Sequence, residues 1–229
     1  MTQTTMGVIK TLSKLTAYGT VAGAGGWALY TRKSSFVPMS SNDYIYNTTF
    51  FARNNPDQNP TMSDLCVRKV PLSQIKPEYL EKEGKLVEKF CAGVWGGLGY
   101  AYQRQYLEKK YRDADTESQL WDTKALQESE YPVGTQITDH FEVLTKTPES
   151  IIVRCGDSPR KMEVRPSDGL FEMRAEIKEA EGVAEFHLKS VFYQGLGKAT
   201  GKPMPPHIEF LHRQYTKLWM ETAISNVTR

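Results

Sequence analysis

The clearest periodicity lies in the second half of the chain. In TQITDHFEVLT, from Thr135 to Thr145, Ile137, Asp139, Phe141 and Val143 alternate with Thr138, His140, Glu142 and Leu144. That is the two-residue period of a strand with one packed face. SIIVRC at 150–155 predicts another strand, closed by a Gly156-Asp157-Ser158-Pro159 turn. A short strand is expected over 161–165, and 170–177 with 183–193 predicts a hairpin about the acidic turn 178–182. Earlier, Leu65, Val67 and Val70 suggest a first strand running from Asp64 to Pro71.

Helical spacing frames these strands. Pro77 opens a stretch to Trp95 with Leu80, Leu86, Val87 and Phe90 on one side. Gly93, Gly96, Gly97 and Gly99 interrupt it, and a second helix is expected over 100–113. They lack the Lys-Ser/Thr ending of a phosphate loop and follow a helix, so they predict a gate or a tight helix turn. Residues 114–130 are polar and predict a loop with a short helix near Trp121. After a Gly/Pro-rich loop at 195–206, a long helix over 207–226 carries Ile208, Leu211, Tyr215, Leu218, Trp219 and Thr222 as its stripe. The order predicts an α+β fold: a curved antiparallel sheet with a long C-terminal helix.

The N-terminal third divides in two. Leu15 to Thr31 is uncharged, flanked by Lys10, Lys14, Arg32 and Lys33, and ends in Trp27 and Tyr30. A helix of that length approaches the roughly 30 Å bilayer core. Residues 1–33 are therefore expected to be a single-pass anchor in the endoplasmic reticulum rather than the mitochondrion. A cleaved targeting peptide and a soluble Gly/Ala leader are the alternatives. Residues 34–62 are rich in Ser, Asn and Pro but hold Tyr44, Tyr46, Phe50 and Phe51, so they predict a linker docked on a domain spanning 63–229. Asn47 and Asn226 head formal glycosylation sequons.

Composition narrows the function. With 29 Lys and Arg against 27 Asp and Glu, the net charge of +2 argues against nucleic-acid binding. A mean hydropathy of −0.51 excludes a polytopic membrane protein. Cys66, Cys91 and Cys155 and the four histidines show no metal-ligand spacing, and no dinucleotide fingerprint, Walker loop or nucleophile elbow is present. Neither a metal nor a cofactor is expected.

The blocks YPVGTQITDHFEVLTKTPESIIVRCGDSPRKMEV, GLFEMRAEIK and FLHRQYTKLWMETAI resemble the START/Bet v 1-like superfamily. The resemblance covers about 64–226. With VPL…FCAGVWGGLGYAYQR, it is closest to a fungal cyclase-like branch. It implies a helix-grip fold, in which the sheet wraps the last helix around a cavity. It also implies a cofactor-free cyclase or pericyclase, of the Diels–Alder kind, acting on a small hydrophobic polyketide or terpenoid. A membrane-tethered carrier of lipid or another hydrophobic ligand is the alternative, and a homodimer is compatible with either.

On the predicted hairpin, Glu172, Arg174 and Glu176 share a face with Glu185, His187 and Lys189. Such a face is expected to be solvated, with charges paired across strands. Phe171, Met173 and Phe186 point the other way, as cavity wall or plain core. His212 and Tyr215 on the last helix, and Asp139 on the apolar side of its strand, are the candidate catalytic groups. Trp95, Tyr100, Gln103, Phe141, Phe171, Met173, Phe186 and Trp219 are the candidate substrate contacts, with Trp95, Tyr100 and Gln103 placed at the cavity mouth. For each polar residue the competing explanation is a buried group satisfied by a neighbour.

Overall fold

The structure, a computed structural model, describes residues 23–229. The chain divides into two units, Met1–Lys33 and Ser34–Arg229. In the first, residues 23–31 are helical, and the Thr31 hydroxyl donates to the Trp27 carbonyl at 3.0 Å. Residues 15–22 of the expected anchor lie outside the described residues. Among the described residues no helix is long and apolar enough to cross a membrane.

The second unit is α+β. Its seven strands are β1 (Ser35–Val37), β2 (Met62–Pro71), β3 (Gln136–Ile137), β4 (Phe141–Lys146), β5 (Ser150–Cys155), β6 (Asp168–Lys178) and β7 (Val183–Tyr193). They form one antiparallel sheet in the order β1-β2-β7-β6-β5-β4-β3. The helices are α1 (Thr49–Asn54), α2 (Lys85–Gly96), α3 (Leu98–Tyr111), α4 (Thr123–Glu128) and the C-terminal α5 (Pro206–Val227).

The hairpin of β6 and β7 sets the two faces of the sheet. Gly182, at φ 66°, closes its turn, where a side chain would be strained. Phe171 then opposes Ser190, Met173 opposes Leu188, and Ala175 opposes Phe186. All but Ser190 join the main core with Phe90, Trp95, Trp219 and Met220 of α2 and α5. Helices α2 and α5 meet closely because Gly93 has no side chain: a Cβ there would lie 2.8 Å from the Ala223 Cα. The glycine run is thus a close helix contact rather than a gate.

Several expected elements differ in detail. Gly84, at φ 78°, delays the helix expected from Pro77, leaving only a 3₁₀ turn at Pro77–Tyr79 before α2. The strand expected over 135–145 is broken, because Thr138 and Asp139 take φ of 52° and 49° between β3 and β4. No strand forms over 161–165. There the buried Arg165 guanidinium donates to the Lys161 and Asp157 carbonyls at 2.8 and 3.2 Å and holds a loop. The apolar residues that marked β2 fall on both of its sides: Val70 is buried, whereas Leu65 and Val67 are half-buried. Asp64, Cys66, Arg68 and Val70 are the buried side, because α5 supplies polar partners such as Glu221, 3.4 Å from Arg68 Nε.

The outer face of the sheet is not uniformly solvated. Ile45, from the segment before β2, joins Ile152, Leu170, Val191 and Tyr193 in a second small core. The Phe51 ring meets Tyr193 edge-on at 5.3 Å. Beside this core Glu172 and Lys189 are buried, 0% and 4% exposed, and Glu185 is buried further along, which corrects the expectation of a wet charged face at these three positions. Glu172 accepts hydrogen bonds from Tyr44 and, at 2.6 Å, from Ser150, while Lys189 lies 2.8 Å from Glu172 and 2.9 Å from Asp43. Further along, Glu185 meets His187 at 2.8 Å and Lys178 at 3.1 Å. Burial opposes its ionisation, but hydrogen bonds from His187, Lys178 and Lys69 together hold its carboxyl down at about 2.

Candidate functional site

The inner face is filled at one end and open at the other. At the filled end Phe186 packs on Phe90, with ring centroids 4.9 Å apart, and Met173 is fully buried. Neither lines the cleft at the other end; both belong to the main core. At the open end a cleft of about 240 Å³ lies between the N-terminal half of α5, α3 and the inner side of β5 to β7. Phe141, Phe171, Phe192, Met204 and Trp219 supply its apolar wall, and Gln103, His140, Ser190, His212, Tyr215 and Thr216 its polar atoms.

Each side chain arrives there for a local reason. His212, Tyr215, Thr216 and Trp219 lie within two turns of α5, so three- and four-residue spacing puts them on neighbouring stripes. Trp219 is wedged between Phe171 at 5.6 Å, Tyr215 at 5.1 Å and Trp95 at 5.4 Å, all edge to face. Gly99 lets α3 approach, since a Cβ there would sit 3.1 Å from the Trp219 Cα. Ser190 faces inward on β7 and is the cross-strand partner of Asp64 on β2.

Asp64 is the least satisfied acid here. Its side chain is 1% exposed, and the basic side chain beside it is His212, whose Nε2 lies 3.1 Å from Oδ2. The approach is not aligned as a hydrogen bond, and both carboxylate oxygens lack one. Thr216 Oγ1 stands 3.3 Å from the same ring nitrogen while donating to the His212 carbonyl at 3.0 Å. The Phe192 ring meets the imidazole edge-on at 5.1 Å.

Three polar atoms of the cleft make no hydrogen bond of good geometry in the protein: Ser190 Oγ, Tyr215 OH and Trp219 Nε1, the last two belonging to adjacent side chains. Burial raises the Tyr215 phenol above its ordinary range, against a smaller lowering from the Trp219 indole. It therefore stays a neutral donor. Burial likewise lowers His140, against Asp157 and Asp139, and favours its neutral ring. Cys155 borders the cleft, but burial pushes its thiol well up, and Cys66 is raised to about 12, first by burial and then by Asp64. Neither offers a thiolate at neutral pH. Among the described residues no group of three His, Cys, Asp or Glu side chains is arranged to hold a metal ion.

The residues singled out in the sequence thus separate. His212, Tyr215, Gln103, Phe141, Phe171 and Trp219 meet at the cleft. Asp139 does not: its carboxylate receives Ser158 at 2.8 Å, Arg160 at 2.9 Å and Gln119 at 3.3 Å, a fully satisfied loop anchor. Trp95 and Tyr100 are fully buried rather than at a mouth, and the Tyr100 hydroxyl is bonded to Thr138. Sequence reasoning put Ser190 and Phe192 on the inward face of the hairpin without singling them out, and missed His140, Thr216 and Met204 in the cleft and Asp64 beside His212. The available signal was a carboxylate and a hydroxyl on the packed side of two strands, concealed for Asp64 because the apolar residues of β2 lie on both sides.

Comparison of the chain with protein-family models, curated proteins and solved structures finds no match.

Proposed function

We propose that the sheet and α5 form a helix-grip domain of the START/Bet v 1-like type, and that the cleft is the active site of a cofactor-free cyclase. One observation carries this reading: an aromatic cleft holds three buried polar atoms, Ser190 Oγ, Tyr215 OH and Trp219 Nε1, that make no hydrogen bond of good geometry in the protein. Each such group costs about 1–3 kcal/mol when buried unsatisfied. A bound carbonyl or ether oxygen recovers that cost. The apolar wall then confines the rest of the ligand in a folded shape, so that ring closure becomes an oriented, effectively unimolecular step. Hydrogen bonds from Tyr215 and Trp219 to a carbonyl would strengthen as charge builds on its oxygen.

The size of the cleft bears on the alternative. At about 240 Å³ it falls below the roughly 300–1,000 Å³ of drug-sized pockets, which favours a compact ligand over an extended lipid chain. The segment before Ser34, with its uncharged run and cationic flanks, would hold the enzyme at a membrane.

The test is turnover of a synthetic open-chain triene ketone. The expected result is cyclisation faster than in buffer, with one stereoisomer favoured, and a slower reaction in Tyr215→Phe. A rate and isomer ratio equal to those in buffer would remove the cyclase reading.

A further inference from the structure

We propose that His212 and Asp64 form a proton-transfer pair, and that the ligand is a β,γ-unsaturated ketone which the cleft isomerises through a dienol before any ring closes. This rests on the reading that the cleft holds a small carbonyl compound.

The placement of the pair supports the step. Asp64 is 3% exposed and accepts no hydrogen bond, so a positive charge that develops beside it is favoured. The group in contact is the His212 imidazole, through Nε2. His212 also borders the cleft, and among the described residues nothing bonds to its other ring nitrogen, Nδ1. Nδ1 is therefore the atom left to exchange a proton with a ligand, while Asp64 stabilises the imidazolium that results. The Tyr215 phenol and the Trp219 indole N–H are donors in the same cleft that make no hydrogen bond of good geometry. They fit an oxygen that gains negative charge during the step.

The bonds balance without an oxidant or reductant. Nδ1 of His212 takes a proton from the carbon between the carbonyl and the C=C bond. The released C–H pair becomes a new C=C bond, and the carbonyl π pair moves onto oxygen, giving a dienolate held by Tyr215 and Trp219. The imidazolium then returns the proton. Delivery to the γ carbon gives the conjugated ketone. Delivery to oxygen gives a dienol, the four-carbon component that a cycloaddition requires. Unlike simple confinement, this assigns a chemical step to His212 and a positioning role to Asp64.

The experiment uses the full-length protein and a β,γ-unsaturated octalone in D₂O. Binding is followed by calorimetry, conjugation by ultraviolet absorbance, and deuterium at the α and γ carbons by NMR. The expected result is binding together with conjugation and exchange above the buffer rate. His212→Asn should lower both rates by on the order of 10²-fold or more while binding persists. Asp64→Asn should keep the octalone affinity and lose most of the rate, a split that a purely structural role would not produce. Wild-type protein that binds octalone but exchanges no faster than buffer overturns the proton-transfer proposal and leaves the cleft reading intact. Failure to bind octalone removes both. If Asp64→Asn does not fold, the wild-type and His212→Asn measurements still decide the matter.

Discussion

Glu172 on the outer face of the sheet and Asp64 on the inner face are both carboxylates almost without contact with solvent. Their surroundings differ. Glu172 is bonded by Tyr44 and Ser150 and paired with Lys189, which is itself held by Asp43 and covered by the Tyr44 ring at 4.4 Å. Asp64 has one imidazole, no aligned hydrogen bond, and a cleft nearby lined with donors that make no hydrogen bond of good geometry. Burial of a charge is common to both, so burial alone does not mark a functional site. What separates them is pairing: Glu172 accepts two hydrogen bonds on Oε1 and meets a lysine at Oε2, which itself accepts none, and so fastens two segments of chain, whereas Asp64 accepts none on either oxygen and keeps capacity for a ligand.

The strongest way to break this comparison is to remove the cation from the Glu172 cluster. Lys189→Ala leaves Glu172 and Asp43 without their counter-charge, and a loss of about 3–5 kcal/mol is expected in denaturant unfolding. A loss below about 1 kcal/mol would mean that the cluster does not fasten the segment before β2. The matching change inside, Asp64→Leu with His212→Leu, replaces the pair by apolar groups. Its stability should change little or rise by about 1–4 kcal/mol, while exchange on octalone disappears. Destabilisation as large as that of Lys189→Ala would make the inner pair structural as well.

Tyr215→Phe sharpens the comparison on a smaller scale. The hydroxyl has no hydrogen bond of good geometry to lose, so thermal stability should hold or improve slightly. Affinity for a carbonyl ligand should fall by about 0.5–1.5 kcal/mol in calorimetry. Unchanged affinity would take Tyr215 out of the ligand site.

The smallest effect concerns pH. Glu185 ionises at about 2 in the folded protein, below its ordinary 4.5. A depressed acid stabilises the fold fully above its unfolded value. That contribution is therefore expected to be lost as pH falls through 4.5 towards about 2, and Glu185→Gln should flatten this acid limb of a Tm-versus-pH curve. An identical limb in the variant would show that the His187 and lysine contacts on the outer face add nothing to stability.

Much of the framework was legible because its signals are local. Alternation assigned Phe171, Met173 and Phe186 to the packed side of the hairpin, and helical spacing placed Tyr215 and Trp219 on one stripe. Legibility stopped where a local pattern was ambiguous. In β2 both sides carry some apolar residues, so Leu65, Val67 and Val70 fixed no phase and left Asp64 unplaced. Asp139 was misplaced because its positive φ depends on Gln119, whose side-chain oxygen accepts the Asp139 N–H at 2.6 Å across a loop. Met173 and Phe186 faced the expected way but met Phe90 and the helix core, which no strand period reveals.

The sequence by itself determined an α+β domain with an antiparallel sheet and a long final helix, because the periods of two and 3.6 residues are written into neighbouring positions. Only the tertiary structure decided which polar side chains meet. Asp64 and His212, or Asp43 and Lys189, lie far apart in the chain and are joined by the pairing of β2 with β7, the docking of α5 and the folding of the segment before β2. The same structure left the space beside Trp219 open while closing the space beside Phe186. Whether opposed side chains fill a volume depends on helix positions set by contacts such as Gly93 against Ala223, not on either segment alone.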